Sequence, residues 1–200
     1  MKNKKLLSDI KEYLKCYEDQ VLEDWYELIR HISVSETGEG IETCCDWIQK
    51  KMEEIGIQVT KYSVKPAPVL VGRFGNDPEK KTVLIYAHYD VKPAGERKLW
   101  HSDPFVPTVR DGKVYARGSA DNKSPLMAHL KALEYFIRRK MEVPVNVIFV
   151  FEGDEECGSR GLEEFLAEHR TELAADLVFF SDGPKDPSGL PIIALGAKGD

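Results

Sequence analysis

Three short apolar runs, at residues 82–87, 145–151 and 177–180, constrain this chain most. Each is rich in Val, Ile, Leu or Phe and is bounded by turn or charged residues, the pattern of strands buried on both faces. Stretches with apolar spacing of three and four separate and precede them. Residues 6–32 carry Leu22, Trp25, Ile29 and Ile32 on one stripe, and Ile41, Cys45, Ile48, Met52 and Ile55 form a second stripe that Gly56 is placed to stop. Leu126, Leu130, Leu133 and Ile137 form a third, ending in basic Arg138, Arg139 and Lys140 as the helix dipole favours. A short fourth carries Leu162, Phe165 and Leu166. Residues 57–64 and 69–74 read as further strands, 75–78 as a turn, and 92–112 as a long loop containing Pro93, Pro104 and Pro107. Strands alternating with helices predict an α/β fold: a largely parallel sheet covered by helices on both faces.

Composition narrows the function classes. Of 200 residues, 42% are hydrophobic and 31% charged, which is ordinary globular usage. The net charge is -6, from 28 Lys and Arg against 34 Asp and Glu, and this argues against nucleic acid as a partner. No apolar run approaches the roughly 20 residues that span a bilayer, and the charged start lacks the core of a signal peptide, so no membrane partner is expected. Cys16, Cys44, Cys45 and Cys157 show no disulfide or zinc-finger spacing and read as reduced thiols of a cytoplasmic protein.

The chemistry lies where the strands end. The first run leads into His88 and Asp90, the second into Glu152, Asp154, Glu155 and Glu156, and the third into Asp182; Asp121 stands at the entry to a helix. Neighbouring parallel strands present their carboxyl ends side by side, where ligands bind in open α/β sheets. Converging carboxylates repel unless cations hold them, and an imidazole with several carboxylates suits zinc, cobalt or manganese. Two such ions could share one carboxylate, with a spare carboxylate left to move a proton. Plainer readings exist for single residues. Asp182 before Gly183-Pro184 suits a turn, Asp121 suits a helix cap, and 152–156 suits a solvated acidic loop. His31, His101, His129 and His169 receive no role. The sequence lacks a Gly-x-Ser-x-Gly elbow, which disfavours a serine hydrolase.

Four blocks in order carry a resemblance: residues 84–91 (LIYAHYDV), 100–105 (WHSDPF), 117–123 (RGSADNK) and 152–159 (EGDEECGS). Together they are similar to the dinuclear zinc metallopeptidases typified by carnosinase, aminoacylase and carboxypeptidase G, with the second and third blocks leaning toward the dipeptidase branch. The resemblance implies two divalent metal ions, zinc foremost, with cobalt or manganese also fitting. By position it gives His88 and Asp182 to one metal, Asp121 to both as a bridge, and Glu156 to the second. It makes Glu155 the general base acting on a water held between the metals, and Asp90 the partner that orients the His88 ring. It also implies a cis peptide between Asp121 and Asn122. Ser124 departs from the glycine usual in the family.

The expected activity is hydrolysis of the amide bond in dipeptides or similar small peptides, with N-acyl amino acid deacylation as the alternative within the family. The family fold is a three-layer αβα domain, into which a lid or dimerisation domain is inserted near Leu195. A later segment returns to the catalytic domain with a last His for the second metal. Residues 1–200 are thus expected to form the N-terminal part of the catalytic domain, with lid and C-terminal part absent. The complete enzyme is expected to be a homodimer, and this chain alone is expected to be inactive, a metal-binding fragment of marginal stability.

Overall fold

A computed structural model of the chain describes residues 2–183, 188 and 192. The junction expected near Leu195 and the Pro184 of the expected turn lie outside the described residues. The elements run α1 (Lys2–Arg30), α2 (Ile41–Glu54), β1 (Gln58–Tyr62), β2 (Val69–Phe74), β3 (Thr82–His88), β4 (Thr108–Arg110), β5 (Lys113–Tyr115), α3 (Lys123–Arg138), β6 (Asn146–Glu152), α4 (Leu162–Glu168) and β7 (Leu177–Phe180).

Five strands form one sheet in the order β1-β2-β6-β3-β7. β3 is parallel to β6 and to β7, whereas β1–β2 and β2–β6 are antiparallel. The sheet is therefore mixed, which corrects the expectation of a largely parallel one. Part of the reason is the connection: only residues 63–68 join β1 to β2, and a parallel crossover needs a dozen residues or more.

Side-chain alternation divides the core between the two sheet faces. On one face, Leu70, Ala87, Val147, Phe149 and Phe151 pack against Leu28 of α1, Ile48 and Met52 of α2, and Leu126, Leu130 and Leu133 of α3. On the other, Val69, Val71, Leu84, Ile148 and Val150 pack against Phe165 of α4 and Leu173. Every residue of β6 is buried, as expected for the central strand. Each large apolar side chain so buried contributes about 1.5–3 kcal/mol. β6 thereby anchors the strand ends that carry the charged residues.

Two further expectations need correction. β7 is not a buried strand: its residues are all exposed, from Phe179 at 47% to Phe180 at 61%. It lies at the sheet edge beside β3 alone, so apolar composition that reads as interior faces solvent among the described residues. The loop at 92–112 is also not free of structure. It contains a 3-10 turn at Arg97–Leu99 and leads into a β4–β5 hairpin closed at Asp111 and Gly112, both with positive φ. An Asp-Gly pair is a strong hairpin signal, because both central positions of such a turn need left-handed backbone.

Candidate metal centre

The sheet register builds the site. β3 and β6 end level, with His88 opposite Glu152, and the β3–β7 ladder ends at Tyr86 opposite Phe180. Two residues beyond that last pair on each strand are His88 and Asp182. Asp121 arrives from the segment before α3, where the Asp121–Asn122 peptide is cis, as the resemblance implies. Asn122 rather than Asp121 occupies the helix-cap position, and it makes no side-chain cap bond.

His88 is fully buried. Its Nδ1 lies 3.1 Å from the Asp90 carbonyl oxygen and 3.3 Å from Asp90 Oδ1. Both partners only accept, so Nδ1 carries a hydrogen and Nε2 faces the opposite side. There Nε2 lies 3.1 Å from Asp121 Oδ1, 3.3 Å from Asp182 Oδ2 and 3.7 Å from Glu155 Oε2. A lone pair pointed at three carboxylates is stable only with a cation between them, either a proton or a metal ion. Burial on its own lowers the His88 pKa, but the hydrogen bond and charge of Asp90, with Glu155 and Asp121, push it up to about 9.

His88, Asp121 and Asp182 each offer a ligand atom within 4.8 Å of the others. One imidazole with two carboxylates is a donor set that divalent zinc, cobalt or manganese accepts, so these residues fit the expected metal. Asp182 is also the turn former of the plainer reading, since its Oδ1 accepts from Gly183 N at 2.6 Å. That bond leaves Oδ2 facing His88.

Asp90 ties the strand ends together. It is fully buried, and its carboxylate accepts from the backbone amides of Glu155 (3.2 Å) and Glu156 (3.1 Å) as well as facing His88. Burial acts to raise its pKa, but the donors from His88, Ser35 and Glu156 hold it below the ordinary range. The ring of His88 and the loop after β6 are thus fixed by one carboxylate.

Glu155 and Glu156 begin a 3-10 turn at Glu155–Cys157 and point differently. Glu155 joins the His88 cluster; burial, then the charges of Glu156, Asp182 and Asp90, raise its pKa against the lowering effect of His88. Glu156 stands apart from the three-residue cluster. Lys92 Nζ lies 3.1 Å from its Oε2 and donates to its carbonyl oxygen at 2.7 Å.

The same loop is braced from below. Tyr86 and Ser159 both donate to the buried Glu152 carboxylate, the latter at 2.8 Å. Arg160 grips Asp154 in two-pronged fashion, with Nη2 to Oδ1 at 2.6 Å and Nε to Oδ2 at 3.0 Å. The acidic run is therefore a fixed loop rather than a solvated one.

Sequence reasoning left several residues without roles. Lys123 is buried and its Nζ donates to the carbonyls of Leu28 (3.1 Å) and His31 (2.6 Å), joining the segment after Asp121 to the end of α1. His129 lies 2.7 Å from Ser181 Oγ. Neither contact has a sequence signature, since a charged residue or a histidine on a helix normally faces solvent or core. Lys92, 64 positions before Glu156, had no signal either.

Known proteins are similar to this chain in sequence and fold. Residues 84–194 match the sequence model of peptidase family M20/M25/M40. The Cys-Gly metallodipeptidase dug1 of Schizosaccharomyces pombe is 41% identical over 155 residues, covering 74% of this chain and 33% of that protein. The crystal structure of human carnosine dipeptidase 1 superposes with a TM-score of 0.84 at 30% identity, covering 88% of this chain and 41% of that one. An M20 family metallo-carboxypeptidase of Sulfolobus solfataricus, Sso-CP2, gives a TM-score of 0.80 at 36% identity, covering 84% and 38%. The chain thus spans about a third of the length of the dug1 relative. From His88 to Asp182 the residues around the carboxylate cluster fall inside the matched region, and the chain belongs to peptidase family M20/M25/M40.

Proposed function

We propose that the chain forms the N-terminal part, residues 1–200, of the catalytic domain of a metal-dependent dipeptidase. The whole domain would be a three-layer αβα sandwich completed by a lid domain and a C-terminal part, and the full-length enzyme a cytoplasmic homodimer. His88, Asp121 and Asp182 would hold a divalent ion, zinc foremost, and Asp121 with Glu156 would serve a second. Bound metal supplies polarisation of the scissile carbonyl and acidification of a water. Glu155, whose Oε2 faces the same space as His88 Nε2, would accept the proton of an attacking water and pass it to the leaving amine. Its raised pKa supports this, because a base that starts closer to neutrality transfers a proton more effectively. Asp90 holds the Nδ1 hydrogen of His88 and so keeps Nε2 free to ligate.

The observation that carries this reading is the His88 Nε2 lone pair facing Asp121, Asp182 and Glu155. Names of relatives that act on Cys-Gly and carnosine support a dipeptide substrate. Equilibrium dialysis of the chain with zinc, followed by assays of Cys-Gly, β-Ala-His and N-acetyl amino acids with the chain alone and with its downstream coding sequence restored, tests it. We expect zinc binding that Asp121→Asn removes, and dipeptide cleavage by the extended protein that Glu155→Gln abolishes. Cleavage of N-acetyl amino acids without dipeptides would favour a deacylase, and absence of zinc binding would sink the reading. The exposed β7 and the Lys92–Glu156 pair favour a second reading for the 200 residues alone, which is metal binding without turnover.

A further inference from the structure

Asp182 has to be held by something other than the sheet. The β3–β7 ladder ends at Tyr86 opposite Phe180, so residues 181 and 182 lie past its last registered pair. β7 is an exposed edge strand with no neighbour on its outer side among the described residues. An edge strand of this kind is poorly constrained at its tip. Helix α3 supplies the constraint. Asn122 Nδ2 donates to the Ser181 carbonyl oxygen at 3.0 Å. Two turns along the helix, His129 Nε2 lies 2.7 Å from Ser181 Oγ, and the His129 ring meets Phe179 edge-on with centroids 5.5 Å apart. Asn122 directly follows Asp121, so one helix grips both carboxylate-bearing segments.

We propose that His129 and Ser181 form a positioning pair: the imidazole of α3 clamps the Ser181 hydroxyl and thereby holds the Asp182 carboxylate against His88. This rests on the metal-site reading above. His129 does not touch the reacting groups and acts through Ser181. Burial lowers its pKa, which is consistent with a neutral ring that serves as a hydrogen-bond partner.

Two measurements on the chain test the pair. The first is amide hydrogen exchange at residues 181–183 of the metal-free protein. The second is affinity for Co²⁺ alone, read by calorimetry and by the cobalt absorption bands. Ser181→Ala and His129→Leu should each speed exchange at 181–183 and weaken Co²⁺ binding about tenfold, the lower end of what loss of a ligand's supporting partner costs. The double variant should be no worse than either single one. His129→Gln, whose amide can occupy the Nε2 position, should restore most of both effects. A general packing defect would not be rescued in this way. If His129→Leu fails to fold, Ser181→Ala decides, because it removes one oxygen from a half-exposed residue. Unchanged exchange at 181–183 in Ser181→Ala overturns the clamp. Faster exchange with unchanged Co²⁺ affinity overturns its positioning role. A wild-type chain that binds no Co²⁺ refutes the metal reading itself, and the exchange arm still judges the clamp.

Discussion

Lys92 Nζ sits 3.1 Å from the Glu156 carboxylate, so the residue proposed to serve the second metal already holds a cation. The ammonium is largely exposed and also donates to the Glu156 carbonyl. A metal ion at Glu156 has to displace it. Lys92→Met should therefore strengthen binding of a second equivalent of Co²⁺ several-fold and leave the first unchanged, as read by calorimetric titration. Equal second-site affinity in both proteins would count against Glu156 as a ligand.

Zinc should stabilise the fold through the His88–Asp121–Asp182 cluster. A ligand present at a hundred times its Kd adds about 2.7 kcal/mol if it binds only the native state. The melting temperature of the chain is expected to rise with zinc concentration, and Asp121→Asn should remove most of that rise. A melting curve insensitive to zinc contradicts the cluster as a metal site.

Asp90→Ala should be among the most destabilising single changes. It strips the Glu155 and Glu156 amides of their acceptor and takes the facing carboxylate from buried His88, whose Nδ1 keeps only the residue-90 carbonyl. Removing one member of a buried charged pair costs about 3–5 kcal/mol. Urea unfolding of the variant, with metal absent, measures the loss; a change under 1 kcal/mol would show that the network does not hold the loop.

Gly153 lies where the backbone passes Tyr89. A Cβ there would come 2.5 Å from the Tyr89 ring carbon and hydroxyl. Tyr89 is fully buried and donates to the Pro68 carbonyl at 2.7 Å, so it has no room to retreat. Gly153→Ala is expected to cost about 1–3 kcal/mol by overpacking. Denaturant titration checks it, and stability equal to wild type would show that Tyr89 can move.

Asp24 joins three helices, with Lys51 Nζ of α2 at 3.2 Å and Lys131 of α3 also bonded to it. Burial acts to raise its pKa, but Lys131 and then Lys51 hold it below the ordinary 3.8. A carboxylate depressed on folding adds stability above its unfolded pKa and loses it as pH falls through the folded value. Asp24→Asn should therefore cost about 1 kcal/mol at neutral pH, with the gap to wild type closing as the pH drops below 3.8. A gap independent of pH would assign the loss to packing instead.

The sequence by itself determined most of the elements, though not the β4–β5 hairpin, and singled out His88, Asp121 and Asp182, which meet in one cluster, along with Glu156, which does not. Periodicity fixed α2 from Ile41, α3 through Ile137 and the buried β6, because burying one face of a helix or both faces of a strand leaves a repeating apolar pattern in the chain. The strand-end positions of His88 and Asp182 marked them as candidate ligands for the same local reason. Only the tertiary structure decided the rest. The mixed sheet, the edge position of β7, the Lys92–Glu156 pair and the His129–Ser181 contact each join segments distant in sequence. Such contacts depend on strand order and register, which local composition does not encode. An apolar strand such as Leu177–Phe180 reads alike whether it lies at the centre of a sheet or at its edge.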